Sequence, residues 1–183
     1  MSYFANFPKI DYFNSESRNI ILKAAIIADV FNKANVFYKY RIPEGYRPDN
    51  VAEEVYNNPT LDWVVFFSNN VIDPYYEWPL SQRSFDEYMT KKYSKTLYEL
   101  QSEIHHYKYT GIGGESDEDI ARKSWTMTPT SHAALGPTGT AGWTPVYTYD
   151  YESEINDEKR VISLLAPLYL PKIINELSKI FNK

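Results

Sequence analysis

Between Phe37 and Leu80 the hydrophobic period of the chain changes twice, and this run constrains the fold more than any other. Tyr38, Tyr40 and Ile42 alternate with Lys39 and Arg41, the period of two that marks a half-buried strand. Pro43, Glu44 and Gly45 break it. A helix is expected after Pro48, with Asp49 or Asn50 as N-cap and Val51, Ala52 and Val55 on its inner face. Pro59-Thr60 opens a second helix, with Thr60 as cap and Leu61, Val64, Val65 and Ser68 at helical spacing. Asn69-Asn70 ends it, since asparagine tolerates the left-handed conformation of a helix terminus. Val71-Ile72 then leads into Asp73-Pro74 and a short aromatic strand. Strand, helix, helix and strand within about 45 residues make a very small α+β module.

The flanks are less regular. Residues 1–18, with Phe4, Phe7, Pro8, Tyr12 and Phe13, show neither helical nor strand period and read as an extended arm that docks on something. From Ile20 to Phe31 the pattern fits a helical stripe, while its β-branched content also permits a strand, to which its start leans. Ser84 caps a further helix, with Glu87 three residues on, and the helical spacing continues through Leu97, Leu100 and Ile104 to His105-His106. Thr110 to Gly142 is polar and rich in glycine, serine and threonine, a long loop with room for a short helix near 117–123. Trp143 to Tyr151 alternates like a strand. Two helices are expected to close the chain, roughly Asp157 to Ala166 and Leu170 to Phe181. In the last, Leu170, Ile173, Ile174, Leu177, Ile180 and Phe181 form an apolar stripe that needs a covering surface, the protein's own core before a partner helix.

Composition removes several function classes. The 183 residues include no cysteine, which excludes disulfides and thiolate metal sites. A net charge of -5 gives no electrostatic footprint for nucleic acid or an anionic membrane. The apolar stretches are too short or interrupted to span a bilayer, and nothing reads as a signal peptide, so a soluble protein is expected. Catalytic chemistry finds little support. Adjacent His105 and His106 would diverge on a helix and share no metal, and His132 has no nearby carboxylate. Gly111, Gly113 and Gly114 lack the Gly-Lys-Ser/Thr of a phosphate loop. No catalytic, cofactor or metal site is expected. The 17 tyrosines are the outlying figure, and they suit either an aromatic core or interfaces with protein or glycan.

Tyr40-Arg41-Ile42-Pro43-Glu44-Gly45, Val51-Ala52 and Asn69 or Asn70 are similar to a LysM domain, the small βααβ fold that binds N-acetylglucosamine polymers. A wider set is more specific: Glu44-Gly45-Tyr46-Arg47-Pro48-Asp49, Tyr56, Asp62-Trp63, and Asp73-Pro74-Tyr75-Tyr76-Glu77-Trp78-Pro79-Leu80. Together with Tyr3 to Pro8 and Tyr149-Asp150-Tyr151-Glu152, it resembles the LysM-bearing baseplate wedge proteins of T4-like bacteriophages. The likeness covers roughly two thirds of the chain, and Ser94 to Gly142 matches poorly. Two positions depart from the family. Asn57 stands where glycine is usual, and Tyr46 where the family carries a charged or polar residue.

This resemblance implies an α+β protein: an extended arm over 1–18, a LysM-like module with its leading segment over 19–82, helices and a polar loop over 83–142, and a strand with C-terminal helices over 143–183. It implies a structural subunit of the tail baseplate in the virion, assembled in the host cytoplasm, that clamps other baseplate wedge proteins. Glycan is the alternative ligand, with no nucleic acid or membrane among the partners. The side chains expected at the interface are Phe4, Phe7, Tyr46, Arg47, Tyr75, Tyr76, Trp78, Pro79 and Leu80. Tyr76 and Trp78 should share one side of an extended stretch, with Tyr75 and Glu77 on the other.

Overall fold

A computed structural model describes residues 7–19, 36–111, 125–136 and 139–181, with side chains to Asn175. Phe4, the segment from Ile20 to Phe31 and the helix expected near 117–123 lie outside the described residues. The chain divides into two compact units, Met1–Pro79 with Lys159–Lys183, and Leu80–Glu158. No helix among the described residues is long and apolar enough to cross a membrane.

Within the arm, β1 (Lys9–Tyr12) and β2 (Ser15–Arg18) form an antiparallel hairpin. A hairpin was not anticipated, because Phe13-Asn14 lacks the glycine that usually announces a two-residue turn. The core of the first unit begins with β3 (Phe37–Arg41), followed by α1 (Pro48–Tyr56), a single 3-10 turn over Pro59–Leu61, and α2 (Asp62–Asn69). Proline at the first helical position starts α1 one residue after Arg47, whose backbone N–H donates to the Asn50 side chain at 3.0 Å. The N-cap is therefore Arg47, not Asp49 or Asn50. Likewise Asn58, not Thr60, caps the 3-10 turn by accepting the Thr60 N–H at 3.0 Å. Both Asn57 (φ 53°) and Asn70 (φ 53°) take the left-handed conformation that ends the helices.

The partner of β3 is β7 (Val161–Leu165), antiparallel, with Phe37 opposite Leu165 and Arg41 opposite Val161. A helix expected over Asp157–Ala166 is thus a strand. Its buried Ile162, Leu164 and Leu165 pack under α1 and α2, and β-branched residues at its start suit a pleated surface. The aromatic strand expected after Asp73 is likewise absent; that stretch is the short helix α3 (Pro74–Glu77). Val51, Ala52, Val64, Val65, Leu164 and Leu165 are almost fully enclosed in one core. Polar groups stitch its edges. The Tyr56 hydroxyl donates to the Leu165 carbonyl at 3.0 Å, and burial pushes its pKa up. The Asn69 amide donates to the Ser163 carbonyl at 2.9 Å and accepts the Ser163 N–H at 2.8 Å. Asparagine at the end of α2 is thus a terminator's neighbour and also a substitute for a missing strand along β7.

In the second unit, α4 (Gln82–Tyr93) is capped by Ser81 rather than Ser84. The single helix expected to reach His106 breaks at Ser94 (φ 53°), and Thr96 with Glu99 starts α5 (Leu97–Ser102) by a reciprocal capping box. β4 (Ile104–Tyr109) follows, flanked antiparallel by β5 (Thr126–Met127) and β6 (Trp143–Tyr147). Between β5 and β6 lies α6 (Pro129–Ala133), so the polar segment carries regular structure. The strand expected to run to Tyr151 stops at Tyr147, where α7 (Thr148–Glu158) begins. Phe85, Met89 and Leu100 make a small core. Finally α8 (Leu170–Phe181) returns to the first unit, where Leu170, Ile173 and Ile174 pack on its core. Leu177, Ile180 and Phe181 lie outside the described side chains.

Candidate protein-docking surface

Asp73-Pro74 does force Asp73 into extended backbone (φ -120°), but the constraint stops there. Its carboxylate accepts the Tyr75 N–H at 3.0 Å, and Glu77 reaches back to accept the N–H groups of Ile72 (2.7 Å) and Asp73 (3.1 Å). Asp-Pro-x-x-Glu is therefore a helix-start pattern. The helix turns Tyr75, 89% exposed, and Tyr76, 70% exposed, to solvent. The even partition of Tyr76 with Trp78 against Tyr75 with Glu77 does not occur, because period two does not apply.

Trp78 anchors this display. It is buried, its ring packs edge to face with Phe66 with centroids 6.1 Å apart, and its indole N–H donates to the Tyr46 carbonyl at 2.9 Å. Gly45, at φ +73°, allows the turn in which the Tyr46 N–H donates to the Pro43 carbonyl at 3.2 Å. The Lys159 ammonium donates to the Tyr76 carbonyl at 2.6 Å, and the buried Arg160 pairs with Glu44 of the same turn. Beside α3 lies a cleft of about 500 Å³ lined by Arg47, Pro48, Asp49, Asp62, Phe66, Pro74 and Tyr75. The Arg47 guanidinium stands 3.2 Å from the Asp49 carboxylate at its rim. Burial and the hydrogen bond to Glu54 push the Tyr40 hydroxyl up to about 12, leaving it a donor at neutral pH.

Of the residues expected at an interface, Tyr46, Arg47, Tyr75 and Tyr76 reach the surface of the first unit. Phe7, Trp78 and Pro79 are buried within it. Leu80 is half-buried and packs in the core of the second unit, where the Asn156 side chain holds its N–H and C=O at 2.8 and 3.0 Å. Tyr12 and Phe13, aromatics of the arm outside that expected set, are exposed at 60% and 87%.

The histidines behave differently from expectation. His105 and His106 lie on β4 at a bulge, and their Nδ1 atoms converge to 2.8 Å instead of diverging. Tyr151 stacks on His105 at 4.3 Å, and burial, with His105 and Lys108, holds His106 below the usual histidine range. His132 stacks on Tyr107 at 3.6 Å. Among the described residues no group of three or more side chains is placed to hold a metal.

Two comparisons bear on the chain as a whole. The family model described as "Base plate wedge protein 53" matches residues 2–116, more than half of the chain. The "Baseplate wedge protein gp53" of Enterobacteria phage T4 is 27% identical over 170 residues, covering 85% of this chain and 80% of that protein. A match over more than half of the chain leads to one assignment: the chain belongs to the phage baseplate wedge protein family and to the virion's tail baseplate.

Proposed function

We propose that the chain is a non-enzymatic structural subunit that binds and clamps neighbouring wedge proteins during tail assembly, using Tyr46, Arg47, Tyr75 and Tyr76. The observation that carries this is the exposure of Tyr75 on a helix whose first N–H groups are capped by Asp73 and whose base is fixed by buried Trp78. Rings carried on a hydrogen-bonded backbone, with only two side-chain torsions each to freeze, lose little entropy on docking, which is the profile of interface anchors.

A second reading, a LysM-type module for peptidoglycan or chitin oligomers, draws on the order β3, α1, α2 and on the aromatic-walled cleft. Its closing strand, β7, arrives only after the second unit. The test mixes purified chain with purified wedge subunits, follows complex formation by sedimentation, and titrates in a soluble chito-oligosaccharide. Complex formation indifferent to the sugar is expected. Micromolar sugar binding that competes with a wedge partner would reverse the ranking.

A further inference from the structure

We infer that the β1–β2 hairpin is a docking finger whose tip, Tyr12 and Phe13, enters an apolar cleft on a neighbouring baseplate protein; this rests on the wedge-subunit reading above. The turn is unusual in its residue, not its shape. Phe13 (φ 49°) and Asn14 (φ 58°) both adopt the left-handed conformation, as two-residue hairpin turns with matching twist require. Asparagine and glycine take that conformation readily, whereas a phenylalanine pays for its Cβ there. Among the described residues no burial of the ring offsets that cost. Phe13 is 87% exposed, Tyr12 60%, and the two rings meet edge to face at 4.6 Å.

The hairpin stands without the ring. Lys9 pairs with Glu16 at 3.0 Å, the Ser15 hydroxyl donates to the Tyr12 carbonyl at 3.0 Å, and the Asn19 N–H donates to the Pro8 carbonyl at 2.9 Å. Its root is fixed by the buried Phe7, whose carbonyl accepts from the Arg18 guanidinium at 3.0 Å. A rooted hairpin that spends strain to hold two aromatics in water is arranged for an outside contact. Charge selects the kind of contact. Lys9 and Arg18 are balanced by Asp11 and Glu16, so the finger offers no attraction for an anionic bilayer or nucleic acid, and its apolar tip fits a protein cleft.

The test uses the full chain with Phe13→Gly and Phe13→Asn, which relieve the strain and remove the ring. Hydrogen exchange over residues 9–18 should be no faster in Phe13→Asn, while the concentration needed for assembly with purified wedge subunits should rise about tenfold or more in both. Phe13→Tyr should restore assembly. Unchanged assembly would overturn the proposal, as would faster exchange in Phe13→Asn, which would make the ring a structural prop. Binding of wild type to anionic phospholipid vesicles, lost in Phe13→Gly, would overturn it in favour of a membrane. If wild type enters no wedge at all, the wedge-subunit reading itself fails, a result distinct from wild-type assembly with indifferent variants.

Discussion

The two units solve the same problem with different means. Around β3, β7, α1 and α2, fourteen buried residues among those described form one apolar core, whereas the second unit gathers three, Phe85, Met89 and Leu100. The second unit makes up the difference with polar pairs. Glu152 accepts the Lys92 ammonium at 2.7 Å and the Tyr93 hydroxyl at 2.6 Å, while Tyr149 donates to Asp86 and accepts from Gln82, each at 2.7 Å. One device is common to both. Asn69 clamps the backbone of Ser163 in the first unit, and Asn156 clamps that of Leu80 in the second. An apolar core tolerates the loss of one polar contact; a unit whose described apolar cluster buries three residues has less to spare.

The largest effect should come from breaking the apolar unit. Trp78→Ala removes a buried ring, the Phe66 contact and the Tyr46 hydrogen bond, and should cost about 3–5 kcal/mol in chemical denaturation. A smaller loss concentrated in β4–β6 would show that the units are less independent than their cores.

The clamps sharpen the comparison. Asn156→Ala leaves both backbone groups of Leu80 without their partner at a buried position and should cost about 2–3 kcal/mol. Asn69→Ala, half-buried and backed by the larger core, should cost about 1–2 kcal/mol. Hydrogen exchange followed unit by unit assigns each loss; equal losses spread over both units would contradict the distinction.

A weaker probe is pH. Burial alone would raise the Glu152 carboxyl, but hydrogen bonds from Lys92 and Tyr93 outweigh it and hold the group below its ordinary 4.5. A depressed folded-state pKa gives stability that is present above the unfolded value and lost as pH falls through the folded one. The second unit should therefore lose about 1 kcal/mol or less on acidification below 4.5, and Glu152→Gln should flatten that slope. A slope unchanged by the substitution would assign the acid sensitivity elsewhere.

How much could be read beforehand follows the same division. β3, α1, α2 and α8 were legible because each buries one face against the larger core, so Tyr40-Ile42, Val51-Ala52 and Val64-Val65 carry the period of their element. What closes the sheet was not legible. β7 contacts β3 across the whole second unit, and no local pattern reports a partner so distant. Within the second unit, periodicity ran on from α4 into α5, although Thr96-x-x-Glu99 marks a new helix start. The bulge that brings His105 and His106 together depends on pairing with β6 and leaves no mark in spacing. Around Pro74, Asp-Pro was extended too far as a strand signal, which hid that Tyr75 and Tyr76 both face outward from a short helix.

The smallest effect on stability belongs to the most direct test of the account. Tyr75→Ala removes a ring that is 89% exposed, so folding free energy should stay within about 0.5 kcal/mol of wild type. Binding to purified wedge subunits, measured by sedimentation on the same samples, should weaken by about 1–2 kcal/mol or more. An account in which this aromatic turn docks a neighbour predicts that separation of stability from assembly. Assembly equal to wild type, or a loss of assembly matched by an equal loss of folding, would contradict it.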